Sequence, residues 1–413
     1  MTGPQSFRVR CAEWLVAAAA GAFALGLAAL LTWPSSVPYQ GHGQDFANLS
    51  ADPLSLVGAF PQRILWPLLA HVTGLGGERS PAFSQVCSGL LLAVVFWFCR
   101  QRGARAADAL LITVAVALTG AVQLYQVMTC HSDTLNWLLM LLLVHHVRRP
   151  FVFWPLVLLT ALSHEMIFFF APWLVYLRRR ESGSAKRALL SLAVVVALYQ
   201  CWRTVVKHVM TIKGSPVQYD VQYYLDRHWL PWGTPGLWLL WVMLLLVEFG
   251  PLLAVVVWGW RTNRLDMGRW GPWLYVACTL SLMFFAFDVQ RFASYAFLPL
   301  VLGSLRFLET PRARGIYMVL IGVGVGIYKW MHLAKGLAGG WVYLRAANVM
   351  AEEGVIGDHS RFFTAFLPRV WWQALCVAAA AAAVVAAGLW LARRFQEGVS
   401  ASVSAATSRS RLH

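Results

Sequence analysis

The chain has 413 residues, of which 59% are hydrophobic and 13% charged, with a mean hydropathy of +0.59 and a formal net charge of +16. A soluble domain is about 45–50% apolar and about 25% charged, so this composition excludes a soluble globular protein. The apolar runs do not alternate as membrane-spanning strands would. We therefore expect an all-α, multi-pass membrane protein.

The positive charge is concentrated in short loops between the apolar runs. This is the pattern of the positive-inside rule, and it indicates membrane topology and contact with anionic lipid headgroups, not nucleic acid. The basic loops are 100–105, 148–150, 178–187, 261–269, 309–315 and 393–396. If all are cytoplasmic, both termini are cytoplasmic as well. The seven cysteines are scattered without CxxC spacing, so they predict neither a metal site nor a disulfide framework.

Membrane-crossing helices follow in chain order from this topology. The N-terminal segment resembles a signal peptide in outline, but its apolar stretch is long and no A-x-A site follows, so it is interpreted as the first helix. We predict about ten full crossings. They cover 11–33, 81–99, 107–124, 131–147, 187–205, 236–258, 272–288, 292–308, 315–332 and 370–392.

The interval between Arg149 and Arg178 is exceptional. It reads "PFVFWPLVLLTALSHEMIFFFAPWLVYL", 28 residues with His164 and Glu165 at the centre. Two full crossings need about 20 residues each, so two do not fit. We predict a broken hairpin of two short helices that meet near His164 and Glu165, with non-helical backbone buried in the protein. The alternative is one long tilted helix, which violates the positive-inside rule once.

The external face then carries three sizeable segments, 34–80, 206–235 and 333–369. The first and last contain amphipathic stretches such as "FPQRILWPLLAHVTGL", which are expected to lie on the membrane surface as helices. Residues 1–396 are predicted to form a single transmembrane domain. The Ser/Ala-rich tail 397–413 is predicted to be disordered and cytoplasmic.

Ionisable groups within or beside membrane helices are candidates for function, because each costs about 2.5–3.5 kcal/mol to insert. The predicted topology places a set of them from remote parts of the chain on the outer half of the protein. The set comprises Asp45, Arg63, His131, Asp133, His164, Glu165, Arg203, Asp288 and Arg291.

Structural interpretations of several of these groups stay open. Asp288 and Arg291 are spaced i,i+3 and can neutralise each other. His131 and Asp133 can be loop residues, with Ser132 or Asp133 capping the next helix. Glu248 precedes Gly-Pro and can stabilise a kink. Asp108 and Glu13, near cytoplasmic helix ends, are expected to be solvated and are not predicted site residues.

Three stretches resemble bacterial multi-pass glycosyltransferases of the GT-C type, which use polyprenyl-phosphate sugars. "YQGHGQDFANLSADPLSLVGAFPQRILWPLLAHVTGL" is similar to their first external loop. "SHEMIFFFAPWLVYLRRR" looks like their T-[RK]-E-T-x-L-L-x-x-P segment, and "FDVQRFASYAFLPLVL" like their D-x-x-R helix. The three occur in the expected order across most of the chain. The resemblance implies a GT-C-like helical bundle in the bacterial inner (cytoplasmic) membrane.

The resemblance also implies roles for individual residues. In GT-C enzymes the first external loop supplies an acidic residue, here Asp45, with Asp52 as the weaker candidate. Asp45 would act as the base that accepts the proton of the acceptor hydroxyl. Cationic side chains would stabilise the leaving phosphate, and other polar groups would bind or orient substrate. The cations are Arg63, Arg203 and Arg291, and the other substrate-binding candidates are His42, His131, Asp133, His164, Glu165 and Asp288.

The expected partners are membrane lipids and a polyprenyl-phosphate sugar donor. No metal-binding residues are predicted, although a divalent cation could bridge Asp45 and the phosphate. Two other functions stay open: a transporter or flippase for a lipid-linked or polar substrate, and an inactive GT-C-like assembly partner. The sugar, the acceptor and the oligomeric state are left open by the sequence.

Overall fold

The computed structural model describes most of the chain as α-helix and short 3₁₀ turns. It describes residues 7–32, 43–56, 58, 60–127, 130–213, 241–242, 245–246, 248–265, 267–282, 293–310, 312–338, 364–365 and 367–410. No strand occurs within these ranges. The predicted all-α class is therefore confirmed.

The main α-helices are numbered here in chain order. They are α1 (Phe7–Thr32), α2 (Gly43–Ala51), α3 (Leu65–Val72), α4 (Ser80–Gln101), α5 (Ala106–Ala117), α6 (Gly120–Val127), α7 (Asp133–His145), α8 (Pro150–Ser163), α9 (Ala171–Ser182), α10 (Ala185–Ile212), α11 (Leu253–Arg261), α12 (Gly271–Ser281), α13 (Phe297–Leu308), α14 (Ala313–Ala338) and α15 (Leu367–Ser410). Short 3₁₀ turns cover Pro53–Ser55, Gly77–Arg79, Glu165–Phe170, Gly250–Leu252 and Ser294–Ala296.

Four of the described helices are long and apolar enough to cross a membrane: Cys11–Leu31, Gly77–Gln101, Ala185–Ile212 and Leu375–Arg394. Shorter apolar helices cover Ala106–Ala117, Asp133–His145, Pro150–Ser163, Ser294–Leu308 and Ala313–Gly326. Apolar helices of this kind support a membrane protein. Full-length crossings were predicted at 107–124 and 131–147, but the first is divided between α5 and α6 and the second forms the 13-residue α7.

The interval 150–182 forms the predicted broken hairpin. Helix α8 ends at Ser163, His164 is extended with φ −162° and ψ 122°, and a 3₁₀ turn leads into α9. The two outer ends then return to the same place, because Arg148 forms an ion pair with Glu181 at 2.9 Å. Arg178 also donates to the carbonyl of Val147. A single long tilted helix would place these ends far apart.

Several basic loops meet at the open end of this hairpin, called here the basic end. Cavities there are lined by residues from the 100–105, 148–150, 178–187 and 309–315 loops. The 261–269 loop joins them, since a Cβ on Gly268 would lie 3.3 Å from Arg180 Nη1. The structure therefore collects at one end five of the six loops that the charge pattern assigned to one side.

Asp108 at the basic end is not solvated as predicted. Its side chain is 10% exposed and accepts two hydrogen bonds from Arg314, at 2.5 Å to Nε and 2.8 Å to Nη2. The expectation was wrong because the first turn of α5 packs beside the start of α14, which places a guanidinium directly against the carboxylate.

The C-terminal segment also differs from the prediction. Helix α15 continues through Ser410, whereas 397–413 was expected to be disordered; residues 411–413 lie outside the described ranges. The stretch "EGVSASVSAATSRS" contains no proline and several alanines, so it can extend a helix that already has its first turns.

The first loop after α1 is folded onto the bundle. Within "FPQRILWPLLAHVTGL" the structure forms α3, whose Trp66 and Ala70 are fully buried while Val72 is 74% exposed. Helix α2 packs against α3 in a second hydrophobic cluster separate from the main core. This loop, the apex of the hairpin and α10 together form the region described next.

Candidate functional site

The apex of the hairpin is organised by His164. Its extended backbone ends α8, and its Nδ1 accepts a hydrogen bond of 3.3 Å from the Met166 amide, which caps the 3₁₀ turn. His164 therefore sets the backbone geometry that presents Glu165 to the rest of the protein.

Glu165 is held by Arg63 from the first loop, 102 residues away in sequence. Arg63 Nε donates to Oε2 at 2.9 Å, and Nη2 donates to Oε1 at 2.7 Å. The guanidinium lies 4.0 Å from the centroid of the Phe60 ring, and its side chain is only 5% exposed. A bidentate, charge-assisted pair of this kind fixes both side chains. The first loop and the hairpin apex are thereby fastened together.

Helix α10 closes the other side of this ion pair. The Trp202 indole donates to the backbone carbonyl of Gln62 at 3.0 Å. Tyr199 is buried, its ring 5.1 Å from that of Phe168. Arg203, on the same helix face as Tyr199, acts electrostatically on Glu165 and makes no ion pair with any described residue.

Asp45 lies in the first turn of α2 and is half-buried. A carboxylate is favourable there because the helix N-terminus carries partial positive charge. A Cβ built on Gly58 would lie 3.8 Å from the Asp45 Cβ, so Gly58 lies close to Asp45. The adjacent Phe46 ring is 6.3 Å from the Phe60 ring, which in turn covers Arg63. Packing of α2 thus connects Phe46, the residue after Asp45, to Arg63 through the Phe60 ring.

The start of α7 forms a buried polar patch beneath α2. His131 is 6% exposed and its ring contacts Phe46, with centroids 6.3 Å apart. Asp133 is completely buried in the first turn. Ser132 occupies the N-cap position as the capping alternative predicted, but its hydroxyl makes no cap hydrogen bond. Of these side chains, His131 packs against α2 through Phe46.

The structure brings together a large part of the predicted set, away from the basic end. This group comprises Asp45, Arg63, His131, Asp133, His164, Glu165 and Arg203. The remaining members, His42, Asp288 and Arg291, lie outside the described residues. No group of three or more His, Cys, Asp or Glu side chains suited to a metal ion occurs in the part of the chain that the structure describes.

Three residues of this region were missed by the sequence analysis: Tyr199, Trp202 and Asn136. Tyr199 and Trp202 lie four residues and one residue before Arg203, so helical spacing places Tyr199 on the face of a predicted candidate. Asn136 follows Asp133 by three residues and is 1% exposed, with no hydrogen-bond partner for its amide. Helical periodicity around each predicted charge would have found Tyr199 and Asn136.

Comparison with known proteins finds no matching family model, no matching curated protein and no matching solved structure. Function is therefore argued from the geometry above.

Proposed function

We propose that this protein is a membrane glycosyltransferase. It transfers a sugar from a polyprenyl-phosphate donor to an acceptor on the external, periplasmic face of the bacterial inner membrane. The observation that carries the proposal is the Arg63–Glu165 pair, which joins the polar first loop to the apex of the broken hairpin. Arg203 acts electrostatically on Glu165 at this junction. Asp45 lies on α2, whose Phe46 ring is 6.3 Å from the Phe60 ring that covers Arg63, so a carboxylate and a cation occur in one region.

Each group has a role in the proposed reaction. The acceptor oxygen forms a bond to the anomeric carbon of the sugar while the bond from that carbon to the phosphate oxygen breaks. Asp45 accepts the hydroxyl proton as a general base. The polyprenyl phosphate leaves as an anion, and Arg203 stabilises its developing charge. Arg63 supports this positive field, but two of its donors already hold Glu165.

In the proposed reaction Glu165 has a positioning role. Its bidentate contact supports holding Arg63 in place over orienting acceptor hydroxyls. His131, Asp133 and His164 are nearly inaccessible, so they act on substrate through the elements that they support. The amphipathic α3 lies in the first loop, where it can roof a donor whose lipid tail stays in the bilayer.

Asp45→Asn tests the proposal. The variant keeps size and hydrogen bonding but cannot accept the proton, so turnover should fall by about 10²–10⁴-fold. Asp52→Asn is the matched control, since Asp52 lies in the same loop and only precedes the 3₁₀ turn Pro53–Ser55. The assay incubates purified protein with a panel of polyprenyl-phosphate sugars and measures release of the free lipid phosphate. Near-normal turnover in Asp45→Asn refutes the base assignment, and equal losses in both variants indicate a shared structural or metal-holding role.

A transporter or flippase is the second candidate, and Glu248 is the observation that favours it. Glu248 is 2% exposed, and its Oε2 accepts a hydrogen bond of 3.0 Å from Ser294. It borders a cavity of about 10 Å³ beside Gly250, where the helix is broken. Broken helices and buried carboxylates inside the membrane are features of transport sites. Uptake of a polar substrate without release of lipid phosphate would support this function, and absence of both activities would support an inactive assembly partner.

A further inference from the structure

A second polar site lies at the basic end, opposite the proposed active site. The α4–α5 loop, the end of α13 and the start of α14 enclose a cavity of about 530 Å³. This volume is within the range of about 300–1,000 Å³ that is typical of ligand sites. Its wall has an apolar part formed by Ile112, Leu305 and Leu308. Four arginines complete the lining: Arg102, Arg105, Arg312 and Arg314.

The cavity carries more positive charge than its acids neutralise. Asp108 is held by Arg314, and Glu309 accepts a hydrogen bond of 2.8 Å from Arg306. Arg105 and Arg312 are exposed and form no ion pair with any residue that the structure describes. Guanidinium groups bind phosphate oxygens through paired N–H donors, so this cavity suits a phosphate group.

The surface beside the cavity indicates that the phosphate belongs to a lipid. Met318 follows Arg314 by one turn on the same face of α14 and is 56% exposed. Val319 and Val323 continue this apolar surface at 63% and 48% exposure. A Cβ added to Gly322 would meet no atom of the described residues within 4 Å, so the face is open there. An exposed apolar surface beside a basic pocket matches the acyl chains and the phosphate headgroup of a phospholipid.

We propose that the Arg105–Arg312 cavity binds the phosphate headgroup of an anionic phospholipid, whose acyl chains lie along the exposed face of α14. Basic pockets between helices at the membrane surface are the sites where such headgroups bind. The site does not depend on the proposed glycosyltransferase function, because it uses residues from the opposite end of the bundle. Its test measures binding, so it does not require an active enzyme.

Native mass spectrometry of the purified full chain in detergent tests the site. Phosphatidylglycerol is compared with phosphatidylcholine of the same acyl chains and with sn-glycerol 3-phosphate. We expect phosphatidylglycerol to bind in preference to both. The double variant Arg105→Gln/Arg312→Gln should weaken its binding by about 25-fold, about fivefold for each cation near an anionic headgroup.

Two further variants control for charge and folding. Arg261→Gln/Arg264→Gln removes the same charge from exposed positions outside the cavity lining and should bind lipid as the wild type does. Arg105→Lys/Arg312→Lys keeps the charge and should retain most of the binding. Unchanged binding in the Gln variant of the cavity, or equal loss in the Arg261/Arg264 control, overturns the proposal. If sn-glycerol 3-phosphate binds as tightly as the lipid, the cavity takes a soluble phosphate and the lipid assignment is wrong.

Discussion

Removing the Glu165 carboxylate should destabilise the protein by leaving Arg63 charged and buried. The Arg63 side chain is 5% exposed and loses both charge-assisted hydrogen bonds, at 2.7 and 2.9 Å, in Glu165→Ala. Loss of one partner from a buried ion pair costs about 3–5 kcal/mol. Because Glu165 is itself 29% exposed, water can reach the vacated space, and we expect the lower limit, about 3 kcal/mol.

The other end of the same hairpin provides a matched control. Arg148 and Glu181 also form an ion pair at 2.9 Å, but the Arg148 side chain is 82% exposed. Exposed pairs contribute about 0–1 kcal/mol, so Glu181→Ala should change the unfolding free energy by no more than that. The two variants remove the same functional group from the same supersecondary unit and differ in the burial of the arginine.

Equilibrium unfolding of the purified protein in mixed micelles measures both free energies. A third variant, Arg63→Leu/Glu165→Leu, removes both charges and should be more stable than Glu165→Ala, because no uncompensated guanidinium is left buried. The reasoning is refuted if Glu165→Ala and Glu181→Ala have equal effects. It is also refuted if the double variant is less stable than Glu165→Ala.

Three further predictions concern helix packing and topology. Gly21→Ala should destabilise the α1–α4 contact by about 1–3 kcal/mol, because the added Cβ would lie 2.7 Å from backbone atoms of α4. In Gly26→Ala, in the same helix, the added Cβ meets no described atom within 4 Å, so this control should be neutral or stabilising by up to about 1 kcal/mol. Equal melting temperatures for Gly21→Ala and Gly26→Ala would contradict this packing. A reporter active only in the external compartment should be inactive when fused at Ser184, since the hairpin returns the chain to its starting side. Activity there would contradict the predicted cytoplasmic location of the basic end. Conversely, a cysteine introduced near Gly43, at the exposed Gln44, should be labelled from outside intact cells, and labelling only after lysis would reverse the orientation.

The sequence by itself determined the class of the protein and the place of its main irregularity. Apolar content, basic loops and the length of the 150–177 interval are local quantities, and each has a direct energetic meaning in a membrane. The interval is too short for two full crossings and has His164 and Glu165 at its centre, so a break there was predicted, with one long tilted helix as the alternative. Similarly, the cost of inserting charge drew attention to Arg63, Glu165 and Arg203 before any contact was known.

Only the tertiary structure decided which of these groups meet. Arg63 pairs with Glu165 across 102 residues, and Arg314 pairs with Asp108 across 206 residues. Hydropathy reports how each segment partitions between water and lipid, but it contains no term for the relative rotation of two helices. That rotation is set by side-chain packing throughout the core, where interiors are close-packed and few arrangements fit. For this reason Asp108 was expected in solvent and is instead buried against an arginine.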